Sequence, residues 1–150
     1  MNQQQVARAG ELYVAAEINR RGGYAVTFAG NMPGIDILAC DLTQNRRITI
    51  QVKTRSAGTW HARFNPNDAE QGSENPAEDS FWVFVDLSPE HPEYFVVPRW
   101  WIRNNIWEEH TAYLARYERE RGYPRKSDHH GIKLDRIEQW RGRWGVLGIF

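Results

Sequence analysis

The chain of 150 residues is long enough for one compact domain, since 41% of its residues are hydrophobic and 13% are aromatic. Its 19 basic residues balance 19 acidic ones, so the net charge of zero excludes a globally basic protein, and any nucleic-acid contact needs a local basic face. No stretch is apolar enough for a signal peptide or a membrane span, and Cys40 is the single cysteine, so we expect a cytoplasmic protein without internal disulfides.

The first predicted element is a helix over residues 2–21, because this stretch lacks proline and its apolar residues recur at helical spacing. These residues form two neighbouring stripes, one of Val6, Ala9, Tyr13 and Ala16, the other of Leu12 and Ala15. The helix is expected to end at the sequence RRGG, where basic side chains suit the C-terminal dipole and glycine supplies a left-handed cap.

Three strands are predicted next, over residues 24–28, 35–40 and 47–54. The sequence GNMPG separates the first two, and the polar residues 41–47 turn the chain into the third. The third strand alternates apolar and polar residues with period two, which is typical of a strand with two unlike faces.

The remaining chain predicts a surface loop over residues 55–80, with a short strand at 60–64 and an acidic segment at 68–79. Strands at 81–87 and 94–97 follow, joined by a turn at SPEHPE. A helix at about 98–121, broken near Asn104 and Asn105, and a short helix containing Leu134, Ile137 and Trp140 complete the order. This order predicts an α/β fold with a mixed central β-sheet flanked by helices: one domain over residues 1–150, with a core at about 5–97 and a helical C-terminal extension at about 98–150.

Four polar residues form a candidate reaction site, Glu11 of the first helix and Asp36, Gln51 and Lys53 of the predicted strands. In the third strand Gln51 and Lys53 share one face, and in the second strand Asp36 is a lone carboxylate among apolar residues. A hairpin through residues 41–47 places Asp36 across from the Gln51–Lys53 stretch. Carboxylate, amide oxygen and ammonium are what phosphodiester hydrolysis with a bound Mg²⁺ requires.

The stretch from Gly10 to Arg55 resembles the catalytic core of the PD-(D/E)XK nuclease superfamily, especially archaeal Holliday junction resolvases and Mrr-like restriction endonucleases. Gly10-Glu11 matches its helix glutamate, Gly34-Ile35-Asp36 its metal aspartate, and Gln51-Val52-Lys53 its E-x-K element. Ile35 replaces the family's proline. Gln51 replaces its second acid, as in the Q-x-K variant, and removes one negative charge from the site.

The resemblance implies a Mg²⁺-dependent endodeoxyribonuclease of restriction, homing or junction-resolving type, with Mn²⁺ as a substitute ion. Asp36, Glu11, Gln51 and the backbone carbonyl of Val52 are the expected metal ligands, and Lys53 is the expected catalytic cation. A catalytically decayed DNA-binding module of the same fold is the alternative, and Gln51 favours it. Cutting both DNA strands favours a homodimer, with the aromatic C-terminal surface as its expected interface.

A DNA-contacting face is predicted beside the active strand, where cations and aromatic residues mix. It consists of Asn31, Arg55, Trp60, His61 and Arg63. An exposed strand with a half-buried tryptophan is an equally good interpretation. The ordinary roles of the site residues also stay open at this point: Asp36 as a cap of the turn at Gly34, Lys53 as a strand-end lysine and Glu11 as a solvated helix residue.

Overall fold

The computed structural model of the chain describes residues 1–65 and 74–150, so part of the predicted acidic segment lies outside the described residues. The elements in chain order are α1 (Gln3–Arg20), β1 (Tyr24–Thr27), β2 (Ile37–Cys40), β3 (Arg47–Arg55), β4 (Trp60–Arg63), β5 (Ser80–Asp86), β6 (Glu93–Pro98), α2 (Arg99–Arg121), β7 (His129–Ile132) and α3 (Leu134–Ile137). Two 3₁₀ turns, Glu138–Trp140 and Trp144–Leu147, follow α3. Within the described ranges no helix is both long and apolar enough to cross a membrane.

Five strands form a mixed central sheet in the order β1-β2-β3-β5-β6, and β4 pairs with β7 in a separate two-stranded ribbon. The pair β3–β5 is parallel, and the other three pairs of the central sheet are antiparallel. Helices lie on both faces of this sheet, so the predicted α/β fold with a mixed central sheet is confirmed. The predicted hairpin between the second and third strands is confirmed as well, with Ile37 opposite Ile50.

The two faces of β3 belong to different hydrophobic cores because successive side chains of a strand point to opposite sides. Ile48 and Ile50 are buried in the core that includes α1 and the C-terminal residues Trp144, Leu147 and Ile149. On the other face the strand register places Gln51 beside Trp82 and Lys53 beside Phe84, and the core on that side includes residues of α2 and β4. The predicted reaction site therefore lies on β3, a strand whose two faces pack against different cores.

Helix α1 begins at a capping box, in which the Asn2 side chain accepts from the Gln5 amide and the Gln5 side chain accepts from the Asn2 amide. Its buried residues are Val6, Gly10, Val14, Ala15 and Ile18. The predicted apolar stripes are wrong in part: Val6 and Ala15 are buried, but Leu12 and Tyr13 are about half exposed, at 50% and 46%. Spacing alone could not show that the helix turns its glycine toward the sheet.

Helix α2 runs without interruption, so the predicted break at Asn104 and Asn105 is wrong. Ile102 and Ile106 are buried on either side of this pair, and the Asn105 side chain accepts hydrogen bonds from Arg136. The predicted helical extension also contains a strand, β7, which pairs antiparallel with β4. Both corrections reflect contacts with residues distant in sequence.

The aromatic residues near the C-terminus are largely interior, which removes the surface that was expected to bind a second subunit. Trp144 is 2% exposed and packs beside Tyr94, and Trp140 stands edge-on to Trp101 at a centroid distance of 5.5 Å. Arg141 is held by ion pairs with Glu93 and Glu138. This segment completes the fold instead of presenting an aromatic patch.

Two buried histidines link α2 to the ribbon. Arg136 Nη1 donates to His130 Nε2 at 2.7 Å, the two Nδ1 atoms of His130 and His110 lie 3.1 Å apart, and His110 Nε2 lies 2.7 Å from the Ser127 carbonyl oxygen. These contacts fit two neutral rings, with His130 donating from Nδ1 and His110 from Nε2. Burial, with the nearby Arg136 and His110, lowers the pKa of His130 to about 4.

Stability is expected to fall as the pH drops from about 6.5 to about 4, because the unfolded chain protonates His130 at its ordinary pKa and the folded chain resists protonation down to about 4. His130→Gln retains an acceptor and a donor without titrating, so its profile should be flatter by roughly 1–3 kcal/mol over this window. Urea unfolding of both proteins across the window measures the difference. Parallel profiles would contradict the assignment.

Gly10 allows α1 to approach β3 closely. A Cβ atom built on Gly10 would lie 1.8 Å from Thr54 Oγ1 and 2.9 Å from Thr54 Cβ, which no real packing tolerates. The contact lies one residue before Glu11, so the same approach brings Glu11 toward the predicted site. A glycine at this position is therefore a packing requirement.

Gly10→Ala should lower the free energy of unfolding by about 1–3 kcal/mol, since the added methyl group forces the helix away from β3. Gly145→Ala is the matched control, because a Cβ at Gly145 meets open space, and its effect should stay within about 0.5 kcal/mol. Urea denaturation of the two variants gives the comparison. Equal stabilities for both would show that the close approach is unimportant.

Candidate active site

Asp36 lies at the point where the pairing of β2 with β3 stops. Its amide still donates to the Ile50 carbonyl at 2.9 Å, and its carboxylate Oδ2 accepts from the Val52 amide at 2.7 Å. The carboxylate thus accepts the hydrogen bond that a backbone carbonyl of the partner strand would otherwise accept from Val52. Because the amide and carbonyl of one strand residue face the same edge, the Val52 carbonyl also faces this side.

This hydrogen bond decides between the two interpretations of Asp36. The turn at Gly34 is closed by the Ile35 amide, which donates to the Met32 carbonyl at 3.4 Å, and the glycine itself has a φ of 75°. The Asp36 carboxylate bonds to β3 instead. The interpretation of Asp36 as a cap of this turn is therefore wrong.

The pKa of Asp36 depends on charged residues on both sides of β3. Burial raises the pKa of Asp36, the hydrogen bond from Val52 opposes that rise, the negative charge of Glu11 adds to it, and the positive charge of Lys53 opposes it. The register of the hairpin, continued by one residue, puts Asp36 opposite Gln51. Asp36 is thus the residue that connects the other three.

Glu11 approaches from the α1 side. Its side chain is 24% exposed and accepts a hydrogen bond from Arg8 Nη1 at 2.9 Å. Glu11, Asp36 and Asn31 line a cavity of about 490 Å³. Glu11 is therefore more than a solvated helix residue, although its present partner is an arginine.

Gln51 and Lys53 line a second depression, of about 400 Å³, on the α2 side of the sheet. His61, Arg63, Trp82 and His129 also line it. Lys53 Nζ lies 5.3 Å from the centroid of the Trp82 ring, a cation–π distance. Burial lowers the pKa of Lys53, and the charge of Asp36 opposes this effect, so Lys53 is not an ordinary exposed strand-end lysine.

The donor set fits a hard divalent cation such as Mg²⁺. It offers two carboxylates, the amide oxygen of Gln51 and the backbone carbonyl of Val52, which are oxygen donors of the kind that Mg²⁺ prefers. Burial is the main cause of the raised pKa of Asp36, the negative charge of Glu11 adds to it, and a cation between the two carboxylates would relieve their repulsion. Across the described residues no group of three or more His, Cys, Asp or Glu side chains forms a metal cluster, so an ion here depends on Gln51, the carbonyl and water.

The five predicted DNA-contacting residues divide into two groups. Asn31, His61 and Arg63 are exposed, and the last two project outward from β4. Trp60 is 1% exposed and donates its indole N–H to the Val85 carbonyl at 3.0 Å. Its place in the core corrects the expectation that it faces DNA.

Arg55 is also committed to the interior. Its Nε and Nη2 donate to Asp86 Oδ2 at 2.9 and 2.5 Å, and its guanidinium lies 3.7 Å from the Trp60 ring centroid. Burial alone would raise the pKa of Asp86, but the hydrogen bonds from Arg55 and Ser88 together lower it. The expected DNA contact of Arg55 is thus corrected. Asp86, the lone acid ending an apolar strand, was the sequence signal for this partner.

The sequence matches no protein-family model and no curated protein. Among solved structures, the fold is similar to that of a bacterial homing endonuclease, I-Ssp6803I, with a TM-score of 0.54. The likeness covers 98% of this chain and 92% of that chain at 11% sequence identity. At this identity the likeness shows a shared fold.

Replacing Asp36 by asparagine should keep or raise thermal stability at about pH 7, because the raised pKa means that the ionised carboxylate costs the folded state free energy there. The cost is absent below the unfolded pKa of about 4 and complete above the folded pKa. The side-chain oxygen of the asparagine would still accept from the Val52 amide.

Asp41→Asn is the matched control at the other end of β2. Hydrogen bonds from Thr43 and from backbone amides, Arg46 among them, lower the pKa of Asp41, so its replacement should reduce stability at neutral pH. Thermal unfolding of both variants tests the opposite signs. A larger loss of thermal stability for Asp36→Asn than for Asp41→Asn would contradict the free-energy cost assigned to the ionised Asp36 carboxylate.

Proposed function

We propose that this protein is a metal-dependent endonuclease that hydrolyses phosphodiester bonds of DNA. The observation that carries the proposal is the Asp36 carboxylate, which bonds to the Val52 amide and lies within electrostatic reach of both Glu11 and Lys53. The order and spacing of these residues resemble the PD-(D/E)XK pattern in its Q-x-K form. The similar solved structure is named a homing endonuclease, which supports the same reaction class.

The resident ion in this proposal is Mg²⁺, with Mn²⁺ as a substitute. Asp36 and Glu11 would hold it together with the amide oxygen of Gln51 and the carbonyl oxygen of Val52. When bound, the ion supplies positive charge that offsets the negative charge developing on the scissile phosphate. Glu11 would exchange its ion pair with Arg8 for this role, which its partial exposure permits.

Lys53 supplies the second positive group. Its lowered pKa enlarges the neutral fraction, so Nζ can take a proton from the attacking water, and in its charged form Nζ stabilises the phosphorane. The Trp82 ring covers one side of the ammonium and limits its access to bulk water. His61 and Arg63, in the same depression, are placed to hold neighbouring phosphates.

Restriction, homing and junction resolution are three forms of this reaction, and the named neighbour adds weight to homing. We also propose that two copies act together, because cutting both strands of a duplex takes two active sites. Tyr24, Val26 and Leu38 expose apolar side chains on the outer face of β1 and β2, and a second copy would cover them.

A DNA-binding module with a decayed site is the second candidate, and the specific observation in its favour is Gln51, an amide where the family has an acid. Such a module would use the same exposed cations and the same fold. The two candidates differ in turnover, so cleavage separates them directly.

With Mg²⁺, the wild-type protein should cleave supercoiled, branched or single-stranded DNA, and Lys53→Met and Asp36→Asn should each reduce the rate by about 100-fold or more. Lys126→Met, which removes an exposed lysine outside the site, is the matched control and should cleave at the wild-type rate. Agarose gels follow the products. Linear product formed without a long-lived nicked intermediate supports paired active sites, and EDTA should abolish both products.

Three outcomes would contradict the proposal or one of its parts. Wild type that cleaves none of the three substrates, yet binds DNA with an affinity that falls steeply with salt, supports the decayed module. Cleavage that survives Lys53→Met at full rate would remove that residue from the mechanism. Cleavage that persists in EDTA would show that the reaction does not require a metal ion.

A further inference from the structure

A large cationic cavity lies outside the proposed active site, between the second half of α2, the ribbon strand β7 and α3. Its volume is about 720 Å³. Four permanently charged side chains line it, Arg116, Arg125, Lys133 and Arg136. His129 and His130 also line it. The carboxylates of Glu109 and Asp135 line the same cavity and contribute negative charge.

These four cations differ from many others of the chain in having no carboxylate partner. Several arginines elsewhere are paired with a carboxylate, as in the pairs Arg20–Glu17, Arg55–Asp86 and Arg141–Glu93. Within residues 1–65 and 74–150, none of the four cavity cations forms an ion pair with a carboxylate. The cavity therefore carries four permanent positive charges against the two carboxylates of Glu109 and Asp135, although the whole chain has no net charge.

Arg136 is built into the cavity wall by neutral acceptors. It donates to the Asn105 side-chain oxygen, the Gly131 carbonyl and His130 Nε2. His130 is in turn braced by His110. These bonds fix the guanidinium without an ion pair. Burial lowers the pKa of Arg136 more than the charges of Glu109 and Asp135 raise it, so a bound anion would add stabilising charge.

Arg125 is held in a second way. Its guanidinium lies 5.8 Å from the Tyr113 ring centroid and 5.3 Å from the Tyr117 ring centroid, both on α2. An arginine stacked on aromatic rings loses little conformational freedom when its N–H edge binds a phosphate. The tyrosines thus preorganise a cation at the cavity rim.

The cavity adjoins the proposed active site through the ribbon. His129 lines both this cavity and the depression that holds Gln51 and Lys53. Arg63 on β4 is the register partner of His129 on β7. Positive or protonatable groups therefore succeed one another from Lys53, across the ribbon, to Arg125.

We propose that the phosphate backbone of duplex DNA, continuing from the scissile phosphate, crosses the β4–β7 ribbon and binds in the α2 cavity. This inference rests on the proposed function, because it assigns the path of the same substrate beyond the reacting phosphate. The partner is a regular polyanion, since separate elements supply the cations in succession. Backbone contacts of this kind add affinity and register without reading sequence.

The test compares two triple variants that remove equal charge. Arg116→Ala/Arg125→Ala/Lys133→Ala removes three of the four cavity cations and keeps Arg136, and Arg20→Ala/Arg47→Ala/Arg143→Ala removes exposed arginines that do not line the cavity. Fluorescence anisotropy with a duplex of about 30 base pairs, in EDTA, measures affinity across a salt series. The cavity variant should bind about 10- to 100-fold more weakly, with a salt slope lower by about two to three, and the control should change less than about 3-fold.

A single charge reversal, Arg116→Glu, tests the same wall with minimal risk to folding, and circular dichroism confirms the fold of every variant. Equal affinities for the cavity and control variants would overturn the inference. So would unchanged DNA binding together with capture of an acidic protein at the cavity, since that outcome assigns the surface to another partner.

Failure of the inference and failure of the proposed function are distinguishable. If wild type cleaves DNA and the cavity variant binds it as well as the control does, the path is wrong and the nuclease stands. If wild type does not cleave but the cavity variant alone loses binding, the path stands and the enzyme fails. If both hold, wild type cleaves DNA and the cavity variant binds it more weakly than the control does.

Discussion

The hydrogen bond from the Val52 amide to the Asp36 carboxylate sets the boundary between the folded sheet and the candidate reaction site. On one side of it, β2 and β3 exchange ordinary backbone hydrogen bonds. On the other side, β3 continues toward Arg55 with its edge open to side chains. The charges of Glu11 and Lys53 both act on the same carboxylate, so this hydrogen bond connects the end of the β2–β3 pairing to the other charged residues of the site.

Local patterns predicted the parts of the fold that depend on local physics. The hairpin of β2 and β3, the alternation of β3 and the extent of α2 followed from residue spacing and turn residues. The buried face of α1, the strand β7 and the roles of Arg55 and Trp60 did not, because each depends on a partner far away in sequence. Arg55, for example, is held in the interior by its ion pair with Asp86, a residue 31 positions away in the sequence, and local spacing does not show this partner.

The candidate site shows the same division. Asp36, Gln51 and Lys53 were placed together by strand geometry, and the structure brings them together. Glu11 came from family resemblance, and the structure puts it near Asp36 but on the opposite side of the sheet from Lys53. Overall charge misled in one respect, because the net value of zero hides a cavity that is lined by four permanent cations and two carboxylates.

The close contact between Gly10 and Thr54 has a consequence for how such a chain can evolve. Every other amino acid carries a Cβ atom, so position 10 has no neutral replacement as long as Thr54 faces it. The ribbon and its cations lie on the far side of the sheet from α1 and are free of that restriction. Substitutions on the ribbon can therefore change the surface that faces a partner, while the position of the helix that carries Glu11 is fixed by its contact with β3.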